Sequence, residues 1–128
     1  MKVVIIEDES PAAQKLERYL KKYDASIEVL AHLTTVKEAV LWLSQHQKEA
    51  DVLFVDVQLH DSLSFSIFQE VPVDTPVIFT TAYDEFGIRA IKFSALDYLL
   101  KPVQTQELKE AVEKFTEKKS HNLSSTQL

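Results

Sequence analysis

These 128 residues predict one α/β domain built on a doubly wound, five-stranded parallel sheet. Three observations predict it. Short apolar runs rich in β-branched residues alternate with segments whose apolar residues recur at spacings of three and four, the pattern of repeated strand and helix units. The runs at 3–6, 52–55 and 77–79 are apolar without interruption, which suits strands covered on both faces. The length is that of one typical domain, and a hydrophobic content of 45% is enough for a single core.

The elements follow in order. The stretch KVVIIEDES is a strand that runs into three acids, and Ser10 with Pro11 then reads as an N-cap and first-turn pair. The helix that follows carries Ala12, Leu16, Tyr19, Leu20 and Tyr23 on one stripe and ends near Asp24. Residues 26–33 mix Ile27, Val29 and Leu30 with polar side chains, a weaker strand pattern that suits a sheet edge. Thr35 with Glu38 forms a capping box for a second helix with Val36, Ala39, Val40 and Leu43 at helical spacing, running to about Gln47. VLFVD is the central strand and delivers Asp56 to its end, and a polar loop, QLHDS, leads to a short apolar helix over 65–71.

Pro72 and Pro76 bracket a turn before the strand VIFTT. Asp84 and Glu85 open a helix carrying Phe86, Ala90, Ile91 and Phe93. ALDYLLKP is a fifth strand closed by Lys101 and Pro102, and an amphipathic helix with Leu108, Ala111, Val112 and Phe115 on one face spans 105 to about 118. The domain therefore covers 1–118, and the polar, Ser-rich residues 119–128 read as a linker or tail. With right-handed crossovers, five strands and five helices fit a flavodoxin-like sheet of strand order 2-1-3-4-5.

Composition excludes several chemistries. The net charge of −6, from 14 basic and 20 acidic residues, argues against a polyanion-binding surface, so direct nucleic-acid binding by this segment is not expected. Without cysteine there is no disulfide, thiolate catalysis or zinc-thiolate site, and Gly87 alone cannot build a glycine-rich phosphate loop. The short apolar run at the amino terminus is no signal core or membrane span, so a cytoplasmic protein with no membrane partner is expected.

The strand ends carry the chemistry. If strands one, three, four and five are neighbours, one rim gathers Glu7, Asp8, Glu9, Asp56, Thr80, Thr81 and Lys101. Carboxylates held within a few ångströms repel by about 4 kcal/mol per pair at intermediate dielectric, so such a rim needs a cation or raised pKa values. A hard divalent ion such as Mg²⁺ suits the oxygen donors. Zinc does not, because His32, His46, His60 and His121 show no ligand spacing. With an ion present, one carboxylate can attack phosphorus while a hydroxyl and a lysine neutralise the phosphoryl oxygens, and Asp56, Thr81 and Lys101 have the matching chemistry. Each residue also has an ordinary use: the acids can favour the dipole of the following helix, the threonine can bond to backbone, the lysine can be solvated.

IIEDE followed by SPAA, LFVDVQL, VIFTTAYDE and ALDYLLKP resemble the receiver domain of two-component response regulators over residues 2 to about 118, and TTAYDE and ALDYLLKP resemble its LytR/AlgR (LytTR) branch. The resemblance implies that Asp56 accepts a phosphoryl group from a sensor histidine kinase. It implies Mg²⁺ held by Asp8, Glu7, Asp56 and the backbone carbonyl of Gln58, a switch hydroxyl on Thr81, a switch aromatic in Tyr98, a phosphate-binding Lys101 and a cis Lys101–Pro102 bond. It also implies a phosphorylation-dependent homodimer through the face of the fourth helix, fifth strand and fifth helix. DNA contact is expected from an attached β-rich output domain that these residues do not contain.

The loop after the acceptor departs from the family pattern, with His60 and Ser62 where a proline and a glycine are expected. Two other readings stand beside the switch. An aspartyl-phosphate hydrolase would need an acid two residues after the nucleophile, where this chain has Gln58, and Tyr83 would shield the phosphate. A receiver that takes no phosphate would be a plain protein-interaction module. A signalling domain with slow self-dephosphorylation, rather than an enzyme, is expected.

Overall fold

A computed structural model describes residues 1–82 and 95–126, with side chains described as far as residue 117. The strands are β1 (Lys2–Ile6), β2 (Glu28–Leu33), β3 (Val52–Asp56), β4 (Val77–Thr81) and β5 (Asp97–Leu100). They form one parallel sheet in the order β2-β1-β3-β4-β5, as the alternation predicted. The helices among the described residues are α1 (Ser10–Tyr23), α2 (Val36–His46), α3 (Ile67–Glu70) and α4 (Thr105–Thr126). The helix expected after Asp84, with Tyr83 before it, lies outside the described residues, so α4 is the fifth helix of the sequence reading.

The period of two along each strand splits the core into two layers. Val4, Ile6, Leu53, Val55, Val77 and Phe79 face α2 and α3, packing on Val36, Ala39, Leu43, Phe65 and Ile67. Val3, Ile5, Val52, Phe54, Ile78 and Leu99 face α1 and α4, packing on Leu16, Leu20, Leu108 and Val112. All five residues of β3 and of β4 are buried, as uninterrupted apolar runs require. The mixed strand β2 is an edge strand.

Several local expectations are corrected. The N-cap of α1 is Glu9, whose carbonyl accepts the first helical bond from Ala13 N–H at 3.1 Å, so Ser10 is already inside the helix. Its buried stripe is Ala13, Leu16 and Leu20, because that set points at Ile5 and Phe54; Ala12 and Tyr19 are only partly buried and Tyr23 is exposed. The helix expected over 65–71 is a 3₁₀ turn, Ser64–Ser66, followed by the single turn of α3, which ends before Pro72. The last helix continues past residue 118 to Thr126, since neither glycine nor proline interrupts it there. The Thr35 cap is present, its hydroxyl accepting Glu38 N–H at 3.0 Å, while the Glu38 carboxylate takes the Thr34 hydroxyl at 2.7 Å.

Candidate functional site

The carboxyl ends of β1, β3, β4 and β5 bring the rim together. Because β3 lies between β1 and β4, with Ile6 opposite Val55 and Asp56 opposite Thr80, the residues following β1 and ending β3 are neighbours. Thr81 pairs with Leu100, and its carbonyl accepts Lys101 N–H at 2.7 Å, so Lys101 enters the same rim from β5. The Lys101–Pro102 peptide bond is cis.

Lys101 is the centre of the charge arrangement. Its Nζ donates to Asp56 Oδ2 at 2.9 Å and to Glu7 Oε1. The second Glu7 oxygen accepts Glu9 N–H at 3.2 Å, and Asp56 Oδ1 accepts Gln58 N–H at 3.1 Å. Glu7 is 4% exposed and Asp56 7%. Burial pushes the Glu7 carboxyl from its ordinary 4.5 up to about 7; Lys101 pulls the other way, and Asp56 adds to the rise. Burial opposes the charge on Lys101, yet its bonds to Glu7 and Asp56 outweigh that and raise its pKa.

Asp8 is held apart from this clasp. Its Oδ2 lies 3.3 Å from His60 Nδ1, and its side chain is 10% exposed. Glu7, Asp8 and Asp56 each place a carboxylate oxygen within a 4.8 Å cluster. Three carboxylates against one lysine leave a surplus of negative charge, and an all-oxygen donor set of this spacing fits a hard divalent cation. An open cleft of about 540 Å³ gives access, lined by Asp8, Asp56, Gln58, His60, Ala82 and Lys101 among others.

Of the residues expected at the site, Glu7, Asp56 and Lys101 are joined by hydrogen bonds, and Asp8 lies with the two acids in the carboxylate cluster. Thr81 is fully buried at the end of β4. Gln58 is at the cleft, its side chain exposed and its backbone paired with Leu63 in an antiparallel bridge. Tyr98 is partly buried, opposite Phe79 and against the α2 and α3 layer. Ser62 is exposed and its carbonyl accepts Leu59 N–H at 3.0 Å.

Three features were not anticipated. Glu7, rather than Asp8, is the acid that shares Lys101. His60 meets Asp8 although no sequence spacing links them, because the loop after β3 folds back over the β1 end. That loop is held by Asp61, whose two oxygens accept Val36 N–H at 3.0 Å and Lys37 N–H at 3.3 Å at the start of α2. Ser64 is fully buried at the loop's end, with its Oγ lacking a hydrogen-bond partner among the described residues.

Comparison with known proteins adds a lineage. The family description "response regulator receiver domain" matches residues 3–113. The sensory transduction protein LytT of Bacillus cereus is 29% identical over 126 residues, which cover 96% of this chain and 50% of that protein. The transcriptional regulatory protein BtsR of Salmonella typhi is 32% identical over 122 residues, 94% of this chain and 50% of its own. Among solved structures, the response regulatory domain of protein mrkE from Klebsiella pneumoniae superposes with a TM-score of 0.79 at 25% identity, covering 91% of this chain and 95% of that one. A receiver domain from Clostridium thermocellum gives 0.77 at 26% identity, covering 93% and 96%. The chain spans about half the length of the curated relatives it matches.

Proposed function

The chain belongs to the response regulator receiver domain family, and from that premise we propose that it is a phosphorylation switch in which Asp56 accepts a phosphoryl group from a sensor histidine kinase. The observation that carries this reading is the Lys101 ammonium lodged against Asp56 at the sheet rim, with Asp8 in the same carboxylate cluster. An Asp56 oxygen attacks phosphorus while the P–N bond of the donor phosphohistidine breaks. The donor nitrogen keeps the bonding pair, and an acyl phosphate is left on Asp56. Lys101 already pairs with Asp56 and so is placed to neutralise the transferred oxygens. Mg²⁺, held by Asp8, Asp56, Glu7 and the backbone carbonyl of Gln58, would supply further neutralisation of phosphoryl charge when bound.

The switch follows from the same residues. The Thr81 hydroxyl turns toward the phosphoryl group, and Tyr98, one strand away on the α2 and α3 layer, repacks inward. A bistable surface biased by one charged group is enough to alter the face made by β5 and α4. That face then forms a homodimer and drives an attached LytTR-type, DNA-binding output domain, with residues 119–128 as the connection. No helix among the described residues is long and apolar enough to cross a membrane, and a cytoplasmic site of action is part of the proposal. Gln58 offers an amide where a hydrolase needs an exchangeable proton, so the acyl phosphate persists for minutes or longer.

Incubation with acetyl phosphate and Mg²⁺, followed by intact-mass measurement, tests the acceptor. The wild type gains one phosphoryl group and Asp56→Asn gains none. A wild type that stays unmodified overturns the reading and leaves a plain interaction module, and a variant modified to the same extent overturns Asp56 as the acceptor.

A further inference from the structure

We propose that His60 is a nitrogen ligand of the rim cation site, turning an oxygen-donor set suited to Mg²⁺ into a mixed site that favours a borderline divalent ion of the Ni²⁺ or Zn²⁺ kind. This rests on the reading that Asp8 and Asp56 hold a divalent cation.

The geometry places ligation at the Asp8 edge of the site, beside the cluster of Glu7, Asp8 and Asp56. Two donors on adjacent positions of one ion, each about 2.1 Å from it, lie about 3 Å apart. His60 Nδ1 and Asp8 Oδ2 are 3.3 Å apart. The His60 side chain is 77% exposed and lines the cleft that also opens onto Asp56, so an ion reaching Asp8 meets the ring.

The backbone that carries the ring is also held in place. Two residues before it, Gln58 bonds to Asp56 and bridges to Leu63. One residue after it, the Asp61 carboxylate is fixed to two backbone N–H groups of α2. A loop anchored on both sides fixes the backbone on which the ring stands beside Asp8, without a proline.

The other described histidines are engaged elsewhere. His32 Nε2 donates to the Glu7 carbonyl at 2.8 Å, and His46 pairs with Glu49 at 2.6 Å. Imidazole nitrogen suits nickel and zinc, whereas magnesium prefers oxygen, so His60 adds affinity for one class of ion and little for the other.

Calorimetric titration of wild type and His60→Ala with Ni²⁺ and with Mg²⁺ separates the possibilities, and histidine ring NMR shifts in Zn²⁺ report ligation directly. Loss of the ligand weakens Ni²⁺ binding about tenfold or more and leaves Mg²⁺ within about twofold. His46→Ala, away from the rim, changes neither, and Asp8→Asn weakens both. Unchanged Ni²⁺ affinity in His60→Ala overturns the proposal. So does tighter binding of both ions, which would make the ring a competitor for Asp8, or equal weakening of both, which would make it a prop for the loop. If the wild type binds neither ion, or Asp8→Asn changes nothing, the underlying cation site fails with it. If only the His60 result fails, Asp8 and Asp56 keep their place.

Discussion

Glu7→Gln isolates the energetic consequence of the buried carboxyl that shares Lys101. In the folded protein burial holds that carboxyl at about 7 against an ordinary value of 4.5, so the native state binds its proton more tightly than the unfolded chain does. The contribution to stability is fully present below 4.5 and is lost as pH rises through about 7, so in this window stability falls with pH. At about 1.4 kcal/mol per pH unit, the separation of the two values is worth about 3 kcal/mol. Lys101, whose pKa is also raised, stays charged throughout the window and contributes no slope there. Asp61, where burial acts against the charge but the Val36 and Lys37 N–H groups prevail, is lowered and titrates below the window. The amide that Glu7→Gln introduces has no proton to lose.

Urea unfolding in chelator-treated buffer, followed by the fluorescence of Trp42, the single tryptophan and one packed against the core, reads the difference. The stability of Glu7→Gln minus that of the wild type grows by about 3 kcal/mol from acid to alkaline ends of the window, a midpoint displacement of roughly 1–3 M urea. Two parallel profiles, or a wild type that gains stability over this window relative to the variant, would refute the reasoning.

Ser64→Ala removes a buried hydroxyl without a partner among the described residues and raises stability by about 1 kcal/mol, seen as a higher urea midpoint with unchanged slope. Gln58→Glu restores an acid at the cleft and shortens the acyl-phosphate half-life about tenfold or more, measured by loss of label after the donor is removed. Mg²⁺ at ten times its dissociation constant stabilises the wild type by about 1.4 kcal/mol, and Asp8→Asn loses most of that gain in the same titration.

The parts of this fold that were legible in the sequence are those that a single physical requirement decides. β3 and β4 run 52–56 and 77–81 as read, because a segment buried on both faces must be apolar at every position until it reaches the rim. The rim itself followed from the polar residue at each strand end once the strand order was inferred. In α1, Leu16 and Leu20 are buried as read, while the cap and the first stripe residue were misread by one position because Ser10 has the better capping side chain and Ala12 and Ala13 are alike, and only the direction of the chain leaving β1 chooses between them. The 3₁₀ turn before α3 has no periodic stripe of its own; the bonds Ser64 N–H to Val57 at 2.7 Å and Ser66 N–H to Leu63 at 3.2 Å set it. The contact of His60 was invisible because its partner, Asp8, lies in the loop after β1, 52 positions earlier in the chain.

What the loop after β3 does with a missing proline and glycine bears on the whole site. Its first residue, Val57, bonds to the Thr80 carbonyl at 2.9 Å, its second to Asp56, and its middle to the start of α2 through Asp61. Three separate anchors stand in for the stiffness that proline gives through one fixed dihedral. They differ from it in one respect that matters here. The Gln58 N–H bond ends on Asp56 Oδ1, a carboxylate that becomes an acyl phosphate in the proposed reaction, so chemistry at Asp56 alters one of the loop's own supports. The Asp61 bonds carry that alteration to the first turn of α2, on the opposite side of the sheet from α1 and α4. The proposed acceptor therefore has two structural outlets: β5 through Lys101, and α2 through the loop that carries His60.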